Sequence, residues 1–222
     1  WDEPARNWWV PGYGQWWSED RGGLDWYTWM FESRAVVHAD TLAWIRSHDG
    51  TADAIDSLAD FGCGLGVGYA EALGDRRYVG FDLSERNVAW CRSHRDAPRH
   101  AWSDRDFICE APEERFDLVM SSGTIDNAYD ADAFLTAMVR ASRRFVHLTC
   151  YRGWFPQLEE HRYRWSDEHH CFYNDLSPRR IAERLEALGC VEIRVEPLAT
   201  GNPALPYETR VTARVPEGGG GS

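Results

Sequence analysis

The sequence predicts an α/β domain with a doubly wound, seven-stranded sheet, an antiparallel edge strand and an N-terminal helical cap rich in aromatic residues. Three observations support it. Short apolar runs alternate with helical stretches, a glycine-rich turn at residues 60–68 follows the first run, and two strictly alternating runs close the chain, as antiparallel strands do. We therefore divide the chain into an aromatic cap (1–50), a sheet domain (51–216) and a Gly/Ser-rich tail (217–222) with the composition of a flexible linker.

The cap is defined by its aromatic residues. Prolines and glycines interrupt it, so it is too broken for one long helix, yet it is too aromatic for a disordered tail. Most of the rings are expected to pack on the flank of the domain and a few to line a pocket, where a ring face attracts a cation. Helical spacing from about Asp25 to His48 predicts one or two helices before the first strand. The tryptophans are Trp1, Trp8, Trp9, Trp16, Trp17, Trp26 and Trp29, with Tyr13, Tyr27 and Phe31 among them.

The remaining elements follow from periodicity and capping residues. The predicted strands are the run through Leu58 and Ala59, then residues 77–82, 100–103, 116–120, 144–150, 191–195 and 209–215. The predicted helices run from the glycine turn to about Leu73, from the N-cap Ser84 through Cys91, from Ala131 to Ser142, and from Ser177-Pro178 to Gly189. Residues 151–176 show no clean period and are predicted to form a long substrate loop, since loops of this length usually carry function.

Composition excludes several classes of function. The net charge of −12 argues against nucleic acid or an anionic membrane as a partner and favours a small-molecule substrate. No apolar run approaches the roughly 18 residues of a membrane span, and no secretory signal opens the chain, so we expect a cytoplasmic protein. All 24 basic residues are arginine, which excludes lysine Schiff-base and lysine-nucleophile chemistry. The six cysteines form no CxxC pair and are expected to be reduced thiols. The sequence carries no signal for an oligomeric state.

The glycine turn is the most informative motif. Glycines 62, 64 and 66 follow a buried strand and precede a helix, so a nucleotide-like ligand can approach the backbone closely. The dinucleotide fingerprint GxGxxG fails, because its last glycine position falls on Val67 in one register and on Tyr69 in the other. The pattern present is an acid, Asp60, two residues before GxGxG.

In this pattern the sequence resembles the class I S-adenosylmethionine-dependent methyltransferases, whose first motif has this form. Asp82 closes the second strand 20 residues after Gly62, and Asp106-Phe107 precedes Phe116 by the interval typical of that family. The segment from His170 to Cys190 is similar to its closing loop and helix. The resemblance covers about residues 57–215 and implies a Rossmann-like fold with S-adenosylmethionine as the cofactor.

The resemblance also implies roles for individual residues. Gly62, Gly64 and Gly66 would let the backbone approach the methionine part of the cofactor, and Asp60 would help to hold its amino group. Asp82, followed by Leu83, would accept from the ribose hydroxyls. Asp106 and Phe107 would flank the adenine, with Asp104 as the competing acid, because the register of the weak third strand is open. Ser122, near the end of the fourth strand, completes the predicted cofactor site.

The acceptor side departs from several family patterns. The fourth strand ends in Ser121-Ser122-Gly123-Thr124, whereas members acting on exocyclic amines of nucleic acids carry Asn or Asp followed by Pro-Pro and an aromatic residue. The histidine of many small-molecule members is absent, because the comparable region is residues 125–128, so the general base stays open. Asn127 is a candidate for orienting a ligand, or it caps the next helix together with Asp126. The catalytic candidates are His169, His170, Tyr151, Tyr173 and Asn127.

No metal site is expected, because the histidines and cysteines lack metal-ligand spacing and the adjacent His169 and His170 rarely bind one ion together. Three functions remain. The first is methyl transfer from S-adenosylmethionine to a small molecule. The alternative is a lyase or cyclase reaction on S-adenosylmethionine itself, which closes its aminobutyrate chain to a cyclic amino acid and releases methylthioadenosine. The third is a protein that binds S-adenosylmethionine without turnover.

Overall fold

A computed structural model describes residues 13–18, 24–110 and 112–216. The predicted aromatic residues Trp1, Trp8 and Trp9 and the tail 217–222 lie outside the described residues. The helices are α1 (Gln15–Ser18), α2 (Leu24–Ser33), α3 (Ala35–Arg46), α4 (Tyr69–Ala72), α5 (Glu85–His94), α6 (Ala131–Ala141) and α7 (Pro178–Ala187), with a 3-10 turn at Ile125–Asn127. The strands are β1 (Ser57–Phe61), β2 (Arg77–Phe81), β3 (His100–Ser103), β4 (Phe116–Ser122), β5 (Ser142–Cys150), β6 (Trp165–Ser166), β7 (Cys171–Phe172), β8 (Val191–Asn202) and β9 (Leu205–Arg214).

The main sheet has seven strands in the order β3-β2-β1-β4-β5-β9-β8. Strands β1 to β5 pair in parallel, whereas β9 pairs antiparallel with both β5 and β8. This confirms the doubly wound sheet with an antiparallel pair at its edge. The strand order reverses between β1 and β4, and open α/β sheets bind ligands at the carboxyl ends of the strands at such a switch point.

Side chains of the central strands divide the core between the two faces of the sheet. In β1 every residue is buried, and successive side chains point to opposite faces. Ala59 and Phe61 pack with α6 and α7 residues on one face, and Leu58 packs with α3 to α5 residues on the other. The near-continuous apolar pattern of the central strands is explained by this burial on both sides.

The helix starts were predicted from their capping residues. The Ser84 hydroxyl accepts from the backbone N–H of Asn87 at 3.2 Å, and the Ser177 hydroxyl accepts from Arg180 N–H at 3.2 Å. Helix α6 is capped by Asp130, whose carboxylate accepts from Ala133 N–H at 2.8 Å. The interpretation that residues 126 and 127 cap this helix is therefore wrong.

The closing hairpin is longer than predicted. The sequence predicted strands 191–195 and 209–215, whereas β8 and β9 extend through residues 196–208 apart from a two-residue turn. Pro197 lies within β8. Because β8 is an edge strand, a proline there removes no hydrogen bond that the sheet needs.

Residues 151–176 are largely irregular, as predicted, and contain the two-stranded ladder β6–β7. Arg162 and Asp175 extend this ladder by exchanging backbone hydrogen bonds. The loop and the described part of the cap lie at the carboxyl edge of the sheet, where residues from both line one cavity. No helix in the described ranges is long and apolar enough to cross a membrane.

Candidate active site

A cavity of about 420 Å³ lies at the carboxyl ends of β1, β2 and β4, at the switch point of the sheet. Eleven of the fourteen site residues predicted from the sequence line it, and the remaining three do not. Those that line it are Asp60, Gly62, Gly64, Asp82, Leu83, Phe107, Ser122, Asn127, Tyr151, His169 and Tyr173. Gly66, Asp106 and His170 are outside its wall.

The glycine turn forms the floor of the cavity. Gly62 and Gly64 have φ values of +81° and +55°, a region that favours glycine. A Cβ at Gly62 would lie 2.1 Å from Thr124 Oγ1, and one at Gly64 would lie 2.3 Å from Tyr27 Cε1. Only glycine fits at either position. Gly66 also has positive φ, but it packs against the ring of Trp102 behind the cavity.

Asp82 connects the glycine turn to the next helix. Its Oδ2 accepts from the backbone N–H of Gly64 at 2.8 Å, and its Oδ1 accepts from that of Ser84 at 2.9 Å. Burial raises the pKa of this carboxyl, and the two backbone donors oppose that shift. Oδ1 also accepts from Asn87 Nδ2 at 3.5 Å, whereas Oδ2 keeps a second lone pair for a further donor.

Asp60 lies beneath the turn with 4% exposure. Tyr78 Oη donates to its Oδ2 at 2.5 Å. Burial raises the pKa of Asp60 to about 7, while the Tyr78 hydrogen bond lowers it and the neighbouring Asp82 charge raises it. A cationic group placed in the cavity beside Asp60 would stabilise its ionised form.

The predicted adenine contacts are only partly in the cavity wall. Phe107 and the adjacent Ile108 line it, whereas the Asp106 carboxylate accepts from Ile108 N–H at 3.0 Å and from Tyr129 Oη at 2.9 Å. Asp106 therefore fixes the segment that carries Phe107. The competing acid Asp104 pairs with Arg92 at 3.4 Å, away from the cavity wall.

The described cap rings form much of the cavity wall, and Tyr27 packs directly on Gly64 of the glycine turn. Most of the cap's described rings line the cavity, whereas Trp29, with 59% exposure, and Trp44 do not. The sequence predicted only a few of these rings in a pocket. Tyr27 Oη accepts from Asn87 Nδ2 at 2.6 Å, which holds the cap to α5. The rings in the wall are Tyr13, Trp16, Trp17, Trp26, Tyr27 and Phe31.

A buried ion pair anchors the cap to the far end of the sheet. Arg34, between α2 and α3, donates from Nε to Glu208 Oε1 at 2.8 Å and from Nη2 to Glu208 Oε2 at 2.5 Å. It also donates to the hydroxyls of Ser122 and Thr149 at 3.1 and 3.0 Å. Arg34 lines the cavity, so this network places a guanidinium beside the strand end of β4.

The loop residues predicted as catalytic are separated by the structure. His169 and Tyr173 line the cavity, their rings 5.6 Å apart, and Ser166 Oγ lies 3.2 Å from His169 Nδ1. His170 takes a φ of +46°, and its ring contacts Trp165 outside the cavity. The local turn geometry therefore sends two adjacent histidines in different directions.

Tyr151 and Asn127 form the junction between the loop and β4. Asn127 Nδ2 donates to Phe172 O at 2.7 Å and lies 3.3 Å from Tyr151 Oη. The preceding Asp126 is fully buried and accepts from the backbone N–H groups of Tyr151 and Arg152, both at 3.1 Å. Burial raises the pKa of Tyr151, so its hydroxyl stays protonated and serves as a hydrogen-bond donor.

The cavity wall also contains polar side chains that the sequence did not predict, among them Arg34, His38 and Tyr69. His38 Nδ1 lies 2.7 Å from Tyr69 Oη, and its ring stacks on Phe31 with centroids 4.1 Å apart. Burial and the nearby Arg34 charge lower the pKa of His38 to about 3, so the ring is neutral. The position of Tyr69 directly after the glycine turn could have indicated that it lies at the cavity. No local sequence feature could have placed Arg34 or His38 there, because both reach the cavity through tertiary packing.

Comparison with known proteins agrees with this geometry. Residues 59–148, from β1 into β5, match a family described as a methyltransferase domain. One solved structure with the same fold is the magnesium protoporphyrin IX methyltransferase of Synechocystis PCC 6803 with bound S-adenosylmethionine. The two chains superpose with a TM-score of 0.61 and 14% identity, over 96% of this chain and 92% of that one. A 1,6-didemethyltoxoflavin N1-methyltransferase of Burkholderia thailandensis gives a TM-score of 0.63, 16% identity, and coverage of 85% and 81%.

The strand order, the glycine turn with its two acids and the match of residues 59–148 to a methyltransferase domain confirm the resemblance to the class I S-adenosylmethionine-dependent methyltransferases found in the sequence. Among curated proteins the chain is similar to the ubiquinone biosynthesis O-methyltransferase of Rhodopseudomonas palustris strain BisA53, with 33% identity over 122 residues, or 49% of this chain and 47% of that protein. The chain spans about half the length of the curated relatives it matches.

Proposed function

We propose that this protein transfers a methyl group from S-adenosylmethionine to a small-molecule acceptor. The observation that carries the proposal is the cavity itself. It brings together three features at the switch point of the sheet: a turn in which only glycine fits at residues 62 and 64, the buried acid Asp82, and a wall of aromatic rings. The curated relatives from ubiquinone biosynthesis are O-methyltransferases, which favours an oxygen acceptor.

The residues present fit the cofactor. Gly62 and Gly64 line the cavity and present no side chain to it, so a ligand there can contact the main chain directly. Asp82 Oδ2 keeps a second lone pair for a ribose hydroxyl, and Asp60 provides a buried acid for an ammonium group. Phe107 and Ile108 supply an apolar surface for a base. When bound, S-adenosylmethionine supplies a methyl group activated by a sulfonium.

The aromatic wall suits the charge of that cofactor. A ring face attracts a nearby cation by about 0.5–2 kcal/mol, with the larger value in a desolvated site. Trp16, Trp26 and Tyr27 form a continuous edge-to-face group, with centroid separations of 5.3 and 4.9 Å. These rings also exclude water from the cavity, which limits hydrolysis and strengthens the local electrostatic interactions.

The acceptor side is formed by the loop of residues 151–176. Methyl transfer from a sulfonium is an in-line displacement in which positioning contributes most, and an oxygen acceptor must also lose a proton. Among the loop residues predicted as catalytic, His169 combines a place in the cavity wall with an imidazole, the side chain that most often serves as a general base. We assign His169 as the general base, with Tyr173 and Tyr151 as hydrogen-bond donors to the acceptor.

One incubation tests this function. Purified protein is incubated with S-adenosylmethionine alone and then with a panel of phenols, carboxylic acids and amines, and the products are identified by mass spectrometry. S-Adenosylhomocysteine that forms only with an acceptor is the expected result. Methylthioadenosine formed without an acceptor would contradict methyl transfer and indicate the cyclising reaction. Binding without either product would indicate a protein that holds the cofactor without turnover.

A further inference from the structure

Three arginines converge on one carboxylate in the loop of residues 151–176. Arg152 Nη2 lies 3.4 Å from Asp175 Oδ1, Arg162 Nε lies 3.2 Å from Oδ2, and Arg164 Nη2 lies 3.2 Å from Oδ1. We name Arg152, Arg162 and Arg164 the arginine cluster. With Asp175 included it carries a net charge of +2, in a chain whose net charge is −12.

The cluster contains more positive charge than its own carboxylate neutralises. The Asp175 side chain is 6% exposed, and one bidentate arginine would suffice to pair it. Two further guanidiniums within hydrogen-bond distance of the same group repel each other and the first one. Other acids of the loop do not relieve this repulsion, because Asp167 accepts from Trp165 Nε1 and the exposed Glu168 lies beside His169. Within the described ranges, neither pairs with a cluster arginine.

The cluster also retains unused hydrogen-bond donors. Arg162 and Arg164 side chains are 55% and 54% exposed, and each uses only part of its five-donor fork on Asp175. Arg152 Nε is buried and has no hydrogen-bond partner among the described residues. A buried donor without a partner is costly, so Arg152 is fixed in place by Asp175 and Tyr173 and not by a hydrogen bond from Nε.

The cluster borders the candidate active site. The Arg152 guanidinium lies over the ring of Tyr173, with its Cζ 5.5 Å from the ring centroid, and Tyr173 lines the cavity. Arg164 and Tyr173 are partners in the ladder that continues β6–β7, since Tyr173 N–H donates to Arg164 O at 2.7 Å. The ring of the candidate base His169 also contacts that of Tyr173, with centroids 5.6 Å apart.

We propose that the arginine cluster binds an anionic group of the acceptor, a carboxylate or a phosphate, and thereby orients the acceptor in the cavity. This inference rests on the proposed methyltransferase function and names its substrate class. Planar guanidiniums match the oxygen spacing of both groups, and their fixed forks add orientation to the attraction. Arg162 and Arg164 hold the anion, and Arg152 remains paired with Asp175 and Tyr173.

Isothermal titration calorimetry tests the proposal with three probes: 4-hydroxybenzoate, phenyl phosphate and the neutral 4-hydroxybenzamide. We expect at least one anion to bind the intact protein at least tenfold more tightly than the amide. In the double variant R162Q/R164Q this preference falls below about threefold, while Arg152 still neutralises Asp175. Comparing the two anions shows which group the cluster prefers.

A matched double variant controls for the loss of charge. Arg92 and Arg179 are 50% and 65% exposed and pair with Asp104 and Glu183 elsewhere on the surface, so R92Q/R179Q should keep the anion preference. Equal binding of all three probes, or a preference that survives in R162Q/R164Q, would overturn the proposal. Binding of S-adenosylhomocysteine is measured as well, and the probe titrations are run with and without it. A protein that does not bind S-adenosylhomocysteine would refute the proposed function, and this outcome is distinct from the loss of anion preference.

Discussion

Replacing Asp82 tests the assignment of the cofactor site most directly. The structure places its carboxylate between two backbone donors, Gly64 N–H at 2.8 Å and Ser84 N–H at 2.9 Å, at the edge of the cavity. The variants Asp82→Asn and Asp82→Ala remove the charge, and the second also removes both acceptors. We expect each to weaken S-adenosylmethionine binding.

The magnitude follows from the hydrogen bonds involved. A hydrogen bond to a charged group contributes about 1.5–3 kcal/mol, and 1.4 kcal/mol corresponds to a factor of ten in affinity. Loss of a single carboxylate contact to a ribose hydroxyl therefore raises Kd at least about tenfold. Asp82→Ala should have the larger effect, because the glycine turn also loses the acceptor that fixes Gly64.

The assay is calorimetric titration with S-adenosylmethionine, accompanied by urea unfolding to verify that each variant is folded. Asp104→Ala is the matched control, since this acid ends the neighbouring strand, pairs with Arg92 and lies outside the cavity wall. It should change Kd less than twofold. Unchanged affinity in a folded Asp82→Asn protein would refute the assignment of Asp82 to the cofactor.

Three further predictions concern folding and the site. Burial lowers the pKa of His147 to about 4, so as pH falls from 6.5 the unfolded chain gains a proton that the native chain does not. The free energy of unfolding then drops by up to about 1.4 kcal/mol per pH unit. Urea unfolding at pH 7.5 and 5.0 should show a smaller loss of unfolding free energy in His147→Leu than in the unmodified protein. Arg34→Gln leaves Glu208 buried without its cation, and should cost about 3–5 kcal/mol in the same assay, whereas an unchanged midpoint would contradict the pairing. Gly62→Ala places a Cβ against Thr124 at a residue with positive φ. Calorimetric titration should show that S-adenosylmethionine binding is lost, and urea unfolding should show a free energy of unfolding lower by about 1–2 kcal/mol or more.

The fold could be predicted because its signals are local. The glycine turn, the capping residues Ser84 and Ser177 and the alternation of the last two strands each specify nearby backbone, and together they define a doubly wound sheet. The floor of the cavity followed for the same reason. In a parallel sheet the carboxyl ends of adjacent strands meet at one edge, so Asp60 and Asp82 had to lie close together.

The rest of the site depends on contacts between distant segments. Arg34 and Glu208 are 174 positions apart, and neither residue has a neighbour in sequence that indicates a buried ion pair. His169 and His170 could not be separated, because the positive φ at His170 is set by the turn and not by a glycine. The hairpin is longer than its strictly alternating segments, 191–195 and 209–215, which carry the sequence signal, and Pro197 is acceptable in β8 because that strand lies at the sheet edge.

The Arg34–Glu208 pair has a consequence for how the protein matures during synthesis. The cap is translated before the sheet domain, but its buried arginine obtains its counter-ion only when β9, near the end of the sheet domain, has left the ribosome. Contacts of such large sequence separation form late, because the intervening chain must first be ordered. The aromatic wall of the cavity is therefore completed after the glycine floor, and a nascent chain that lacks β9 cannot assemble the full site.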